Sequence, residues 1–371
     1  MKKTLRFLAK TLFFLILLSG LYVLIQPEPF LGNISIYNRL IPGRERLPFG
    51  ESPKTAYNFS LYNLNAMLAS HKISGADKDT EDLTVLLIGD SSTWGTLLKP
   101  EETVAGQLDG RIVTVDGQSK RLRTYNLGYP TLSLAKDVLL LNRGLEIEPD
   151  LILWFTTLEA FPLENQAASP LVSQNLAEFA GLMRQQGQTP DWLNLEPLPL
   201  KEKTLFAQRR ALMDLVRLQA YGVMWAATGI DQDYPADFPA ALRDLDPDPA
   251  FYGVTGSYPE ELTAWDVLTV GMNLAGTVPV LLVNEPILIS TGENAAIRYN
   301  FYYPRMAYDS WREALTQRCD QNGWTFMDIW NLLPESAFTN SAIHYNQEGS
   351  KLIAEEVLKT LGTLLNTNNN D

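Results

Sequence analysis

Apolar residues fall in short runs along the chain, and between the runs lie stretches with helical spacing. Residues 83–88, apolar except for Thr84, predict a buried strand. Pro100, Glu101 and Glu102 open a helix, with proline and acids in its first turn. Residues 123–127 predict a second strand, 134–143 a helix, and 151–155 a third strand. The same alternation returns further on. Residues 278–283 and 324–329 read as the fourth and fifth strands, and 308–320 and 350–361 as helices. Strands alternating with helices predict a parallel sheet covered on both faces.

Three stretches break that rhythm. Residues 7–25 are almost continuously apolar and long enough to span a bilayer, with Lys10 able to snorkel. Residues 27–80 are punctuated by Pro27, Pro29, Pro42, Gly43, Pro48 and Gly50, and predict a stalk or a segment wrapping the domain. Within them, 58–71 has the spacing of a short helix, with His71 read as a surface residue. Residues 167–275 predict a mostly helical insertion. Its Trp192, Tyr221, Trp225, Tyr234 and Trp265 either pack it onto the core or line a groove for a protein partner. The expected division is therefore 1–26, basic flank and anchor; 27–80, stalk or wrap; 81–166 with 276–363, the α/β domain; 167–275, the insertion; and 364–371, a disordered tail.

Composition and charge narrow the function. The chain has 371 residues, of which 46% are hydrophobic, enough for one large core. Its net charge is −13. Four of its 30 basic residues lie in 1–26, leaving 26 against 43 acidic, a net of −17 for the remainder. Such a surface argues against nucleic acid as a partner. Lys2, Lys3, Arg6 and Lys10 before the apolar run predict the N-terminus inside and the main domain outside. Cleavage after a signal peptide would instead give a secreted protein. The lone Cys319 has no partner for an intramolecular disulfide, and no cluster has metal spacing, so neither a metal nor a cofactor is expected.

The first strand runs into Gly89-Asp90-Ser91, then into residues that can start a helix. This raises a serine hydroxyl at the carboxyl edge of a parallel sheet, where open α/β folds bind ligands. A nucleophilic serine needs a base and oxyanion donors. The second strand ends at Asn126-Leu127-Gly128, and His344 precedes the last helix, so all three pieces meet at one edge. Ser91 is the expected nucleophile and His344 the base. The N–H groups of Ser91 and Gly128 are the expected donors. Asp90 is expected to shape the turn.

In Gly89-Asp90-Ser91-Ser92-Thr93-Trp94-Gly95, Asn126-Leu127-Gly128-Tyr129-Pro130 and His344-Tyr345-Asn346-Gln347-Glu348-Gly349, the chain resembles the SGNH (GDSL-type) hydrolases. The resemblance covers residues 84–160 and 276–362. It implies a flavodoxin-like three-layer α/β/α fold, built here on a five-stranded parallel sheet. It also implies ester or acyl-transfer chemistry on acyl esters, and the expected exterior location adds envelope carbohydrate esters as a target by analogy. Two departures stand out. The family's aspartate three residues before the histidine is Ser341 here. Asn340, Glu335, Asp328, Glu285 and Glu159 are the other candidates to orient His344. The family's oxyanion asparagine after the third strand falls near Glu159, leaving the Thr156 and Thr157 hydroxyls as substitute donors. The alternative to an esterase is a scaffold or binding module that has lost its chemistry.

Overall fold

The computed structural model describes residues 2–35, 43–50, 58–76, 81–115, 117–193, 200–232, 234 and 237–367. Helix α1 (Lys2–Ile25) is long and apolar enough to cross a membrane. Helix α2 (Leu64–Ser70) precedes the domain. Then come β1 (Asp82–Ile88), α3 (Ser91–Trp94), α4 (Val104–Leu108), β2 (Ile112–Val115), β3 (Gln118–Asn126), α5 (Leu134–Gly144) and β4 (Leu151–Thr156). The insertion holds several short helices and the long α6 (Leu205–Thr228), then a hairpin of β5 (Ala250–Phe251) and β6 (Val254–Thr255). The chain closes with α7 (Trp265–Ala275), β7 (Val280–Asn284), α8 (Arg305–Asn322), β8 (Thr325–Asp328) and α9 (Gln347–Thr367).

The sheet order is β2-β3-β1-β4-β7-β8. All neighbours pair in parallel except β2 with β3. Counting only the parallel strands gives the flavodoxin-like order 2-1-3-4-5. Side chains alternate between the two faces, as strand geometry requires. Leu86, Ile88, Ile152, Trp154 and Leu282 join the core under α5, α7 and α8. Val85, Leu87, Leu153, Phe155 and Val283 join the core under α4 and α9. These are the two covered faces of a three-layer domain.

The sheet has six strands among the described residues, against the five expected. The extra one, β2, is an antiparallel edge strand in a hairpin with β3. Asp116-Gly117 between two alternating runs carries the signal for that hairpin. The expected insertion also ends early. Helix α7 is the crossover between β4 and β7, packed on α5, where Gly271 lets Trp154 seat against its backbone. The last helix continues to Thr367, beyond the expected start of the tail, and residues 368–371 lie outside the described residues.

His71 is fully buried, which corrects its reading as a surface residue. Its Nδ1 accepts from the Ile73 N–H at 3.1 Å, and Nε2 sits 3.0 Å from the Glu45 carbonyl. Burial holds its pKa down to about 3, so it is a neutral structural bridge. The neighbouring stretch 43–50 lies against the domain. Arg46 donates to the carbonyls of Gly95 and Leu98, each at 2.8 Å, and Trp94 Nε1 donates to Leu47 O at 2.8 Å. Arg44 pairs with Asp231 of the insertion at 2.8 Å, both side chains buried.

Candidate active site

Ser91 is the first residue of α3, directly after the turn that ends β1. Asp90 caps this short helix, its Oδ1 accepting the Ser92 N–H at 2.8 Å, as an N-cap aspartate does. From below, Lys136 of α5 donates to the Gly89 carbonyl at 2.6 Å and pairs with Asp137 at 2.5 Å. Both are buried. Burial pushes Asp137 up to about 6 against the pull of Lys136, and Trp154 Nε1 donates to the same carboxylate at 3.2 Å. The turn that carries Ser91 therefore rests on a desolvated ion pair.

The other half of the site comes from the loop before α9. Phe338 and Tyr345 form an antiparallel bridge, and the Thr339 N–H donates to His344 O at 2.8 Å. The loop folds back so that Asn340 and His344 face each other. Asn340 Oδ1 lies 2.8 Å from His344 Nδ1, and His344 Nε2 lies 2.7 Å from Ser91 Oγ. With Asn340 accepting from the Nδ1 proton, Nε2 keeps its lone pair and accepts the Ser91 hydroxyl. That is the tautomer a general base needs. Burial pulls the His344 pKa down to about 4, which keeps the ring neutral near neutral pH.

The remaining orienting candidates make other contacts. Asp328 accepts from Arg312 at 2.6 Å and from Asn284 at 2.8 Å. Glu335 pairs with Arg243 at 2.9 Å. Ser341 is buried and interacts with the Tyr302 hydroxyl. Glu159 accepts from the Tyr252 hydroxyl, and burial pushes its carboxyl up to about 7. Tyr252 comes from the turn between β5 and β6, where its φ of 50° is unusual for a tyrosine. Glu285, at the end of β7, is fully buried. Its Oε2 accepts from the Ser92 hydroxyl and, at 3.0 Å, from the Tyr345 hydroxyl. Burial, then the nearby Asp90, holds Glu285 well above the usual carboxylate range. Glu285 thus joins the residue after Ser91 to the residue after His344.

The oxyanion candidates divide in the same way. The Gly128 N–H is taken by Asn126 Oδ1 at 2.9 Å, and Asn126 Nδ2 donates to Thr93 O at 2.8 Å. Gly128 is needed for close packing, since a Cβ there would stand 2.5 Å from Trp94 N. Thr157 Oγ1 donates to Tyr303 at 3.0 Å. Thr156 Oγ1 is buried with no hydrogen-bond partner, and its carbonyl accepts the Glu285 N–H at 3.1 Å. Residue types alone did not single out Asn126, Ser92, Tyr345 or Lys136, because each acts through a contact far away in sequence. Among the described residues, no group of His, Cys, Asp and Glu could hold a metal ion.

No family model matches the chain, and no curated protein matches it. Solved structures do align with it. One is a member of the lipolytic G-D-S-L family from Veillonella parvula, at 11% identity and a TM-score of 0.36, over 75% of this chain and 97% of that one. A second is a carbohydrate acetylesterase from Sinorhizobium meliloti, at 15% identity and 0.33, over 76% and 100%. A third is the M. smegmatis aryl esterase, at 12% and 0.33, over 76% and 99%. At these values the fold assignment rests on this chain's own strand order and the placement of its turns. With Gly89-Asp90-Ser91 closing the first parallel strand and His344 before the last helix, the chain has an SGNH-hydrolase-like α/β/α fold.

Proposed function

We propose that this protein is a membrane-tethered hydrolase or acyltransferase acting on acyl esters, with Ser91 as nucleophile and His344 as base. The observation that carries the reading is the 2.7 Å approach of His344 Nε2 to Ser91 Oγ, with Nδ1 held at 2.8 Å by Asn340. Ser91 Oγ attacks the acyl carbon as its proton passes to Nε2. The ester C–O bond then breaks, and the imidazolium returns the proton to the departing alcohol. Water, or an acceptor hydroxyl, releases the acyl group from Ser91 by the reverse sequence. The Ser91 N–H, at a helix start, is the oxyanion donor. Asn340 fixes the ring but adds no negative charge beside the imidazolium, so turnover is slower than with a carboxylate.

Helix α1 would anchor the domain, with the basic flank inside and the acidic domain outside. Esters of envelope carbohydrate suit that location. The test is hydrolysis of a short-chain aryl acyl ester by the purified full-length chain. Saturable release that disappears in Ser91→Ala and His344→Ala supports the reading. Equal rates in all three proteins contradict it. A second reading is a binding module with lost chemistry, favoured by the Gly128 N–H being taken by Asn126. It predicts no turnover above background, together with binding of the carbohydrate ester by the intact site.

A further inference from the structure

Beyond α1, exposed large apolar side chains concentrate in one place. Leu200, Phe206, Met213, Val216, Val223 and Met224 lie on α6 and the turn before it. Residues 206, 213, 216 and 223 recur at helical spacing and form one stripe. The other face, with Leu215, Leu218, Gly222 and Trp225, is buried against the domain. The charge of this stretch is also unlike the rest of the chain. Residues 200–228 hold five basic and two acidic residues, net +3, in a protein of net −13.

The position of α6 says what covers the stripe. Both α6 and the turn before it pack against α1. Within α1 only Ser19, Tyr22 and Val23 are less than exposed, so its neighbours meet it in its last two turns. If α1 crosses the bilayer, those turns lie at the boundary where the chain leaves it. Gln219 of α6 also donates to Ile34 O at 3.1 Å, just past that boundary. A tyrosine at that level suits an interfacial position. A second copy of the chain fits poorly, because a two-fold contact would set the same basic residues against each other.

We propose that α6 lies along the surface of an anionic bilayer as a second membrane contact. Its apolar stripe enters the headgroup boundary, and Lys201, Lys203, Arg209 and Arg210 meet lipid phosphates. The proposal rests on α1 being a membrane span. One experiment separates the two. The full-length chain is reconstituted in phosphatidylcholine vesicles, with and without phosphatidylglycerol, and floated on a density gradient. An environment-sensitive fluorophore is placed at Met213→Cys or, as a control on the exposed side of α8, at Gln317→Cys; native Cys319 is buried. Flotation reports on α1. Quenching by lipid-borne spin labels reports on α6. The expected result is quenching and a blue shift at position 213 only, strengthened by phosphatidylglycerol and weakened by Arg209→Glu with Arg210→Glu. A chain that floats while position 213 stays as open to aqueous iodide as position 317 overturns the α6 proposal and leaves the anchor standing. A chain that does not float overturns both.

Discussion

At the scale of single residues, the site turns on what stands behind the imidazole. Asn340 Oδ1 stands 2.8 Å from His344 Nδ1, but the amide is neutral. A carboxylate there would also stabilise the charged ring formed during proton transfer. Asn340→Asp should therefore raise kcat/KM for an acyl ester about tenfold, roughly 1.4 kcal/mol of transition-state stabilisation. It should also move the acid limb of the rate profile upward from about 4, because a nearby anion raises a histidine's pKa. A pH–rate series on both proteins checks this, and an unchanged acid limb would contradict it. Ser91, His344 and the turn-shaping Asp90 were readable from their types and their places relative to strands and helices. The orienting residue was left open among several candidates, because it is fixed by the bridge between Phe338 and Tyr345, a contact no local pattern encodes.

At the scale of elements, the end of β7 ties the Ser91 turn to the His344 loop. Glu285 accepts from Ser92, next to the nucleophile, and from Tyr345, next to the base. Burial, then the nearby Asp90, disfavours its charged form. Glu285→Gln should keep kcat close to the parent value, since it preserves the shape and an oxygen acceptor for Ser92 and Tyr345. Glu285→Ala should lower kcat on the order of 10²-fold, with KM little changed, because the loops lose their common tie. The carboxyl has a definite sign in the pH dependence of stability. Unfolded, it ionises near 4.5; folded, its pKa lies well above that value. As pH rises between the two, only the unfolded chain releases the proton, so stability falls. Melting temperatures against pH should show a shallower decline for Glu285→Gln, and identical slopes would contradict this assignment. Much of the element plan was legible because β1, β4 and β7 are buried along their length and mostly apolar. The edge strand β2 is only four residues long and partly exposed, and α7 follows an insertion without a break in composition, so both were missed.

At the scale of the whole molecule, an acidic α/β/α domain follows a basic-flanked apolar helix, and the turn that carries Ser91 is braced from two sides. The segment 43–50 caps the C-terminal end of α3 through Arg46. The pair Lys136–Asp137 supports the turn from within the core. Such bracing fits a preorganised site whose serine needs little rearrangement to react. The most direct measurement of the central claim is the intact mass of the full-length chain after exposure to a fluorophosphonate, followed across pH. The account predicts one adduct, mapped to Ser91, absent in Ser91→Ala. It should form at a rate that drops as pH falls through about 4, where His344 takes up a proton. An adduct on another residue, equal labelling of the Ser91→Ala variant, or no adduct at any pH would contradict Ser91 as an activated nucleophile.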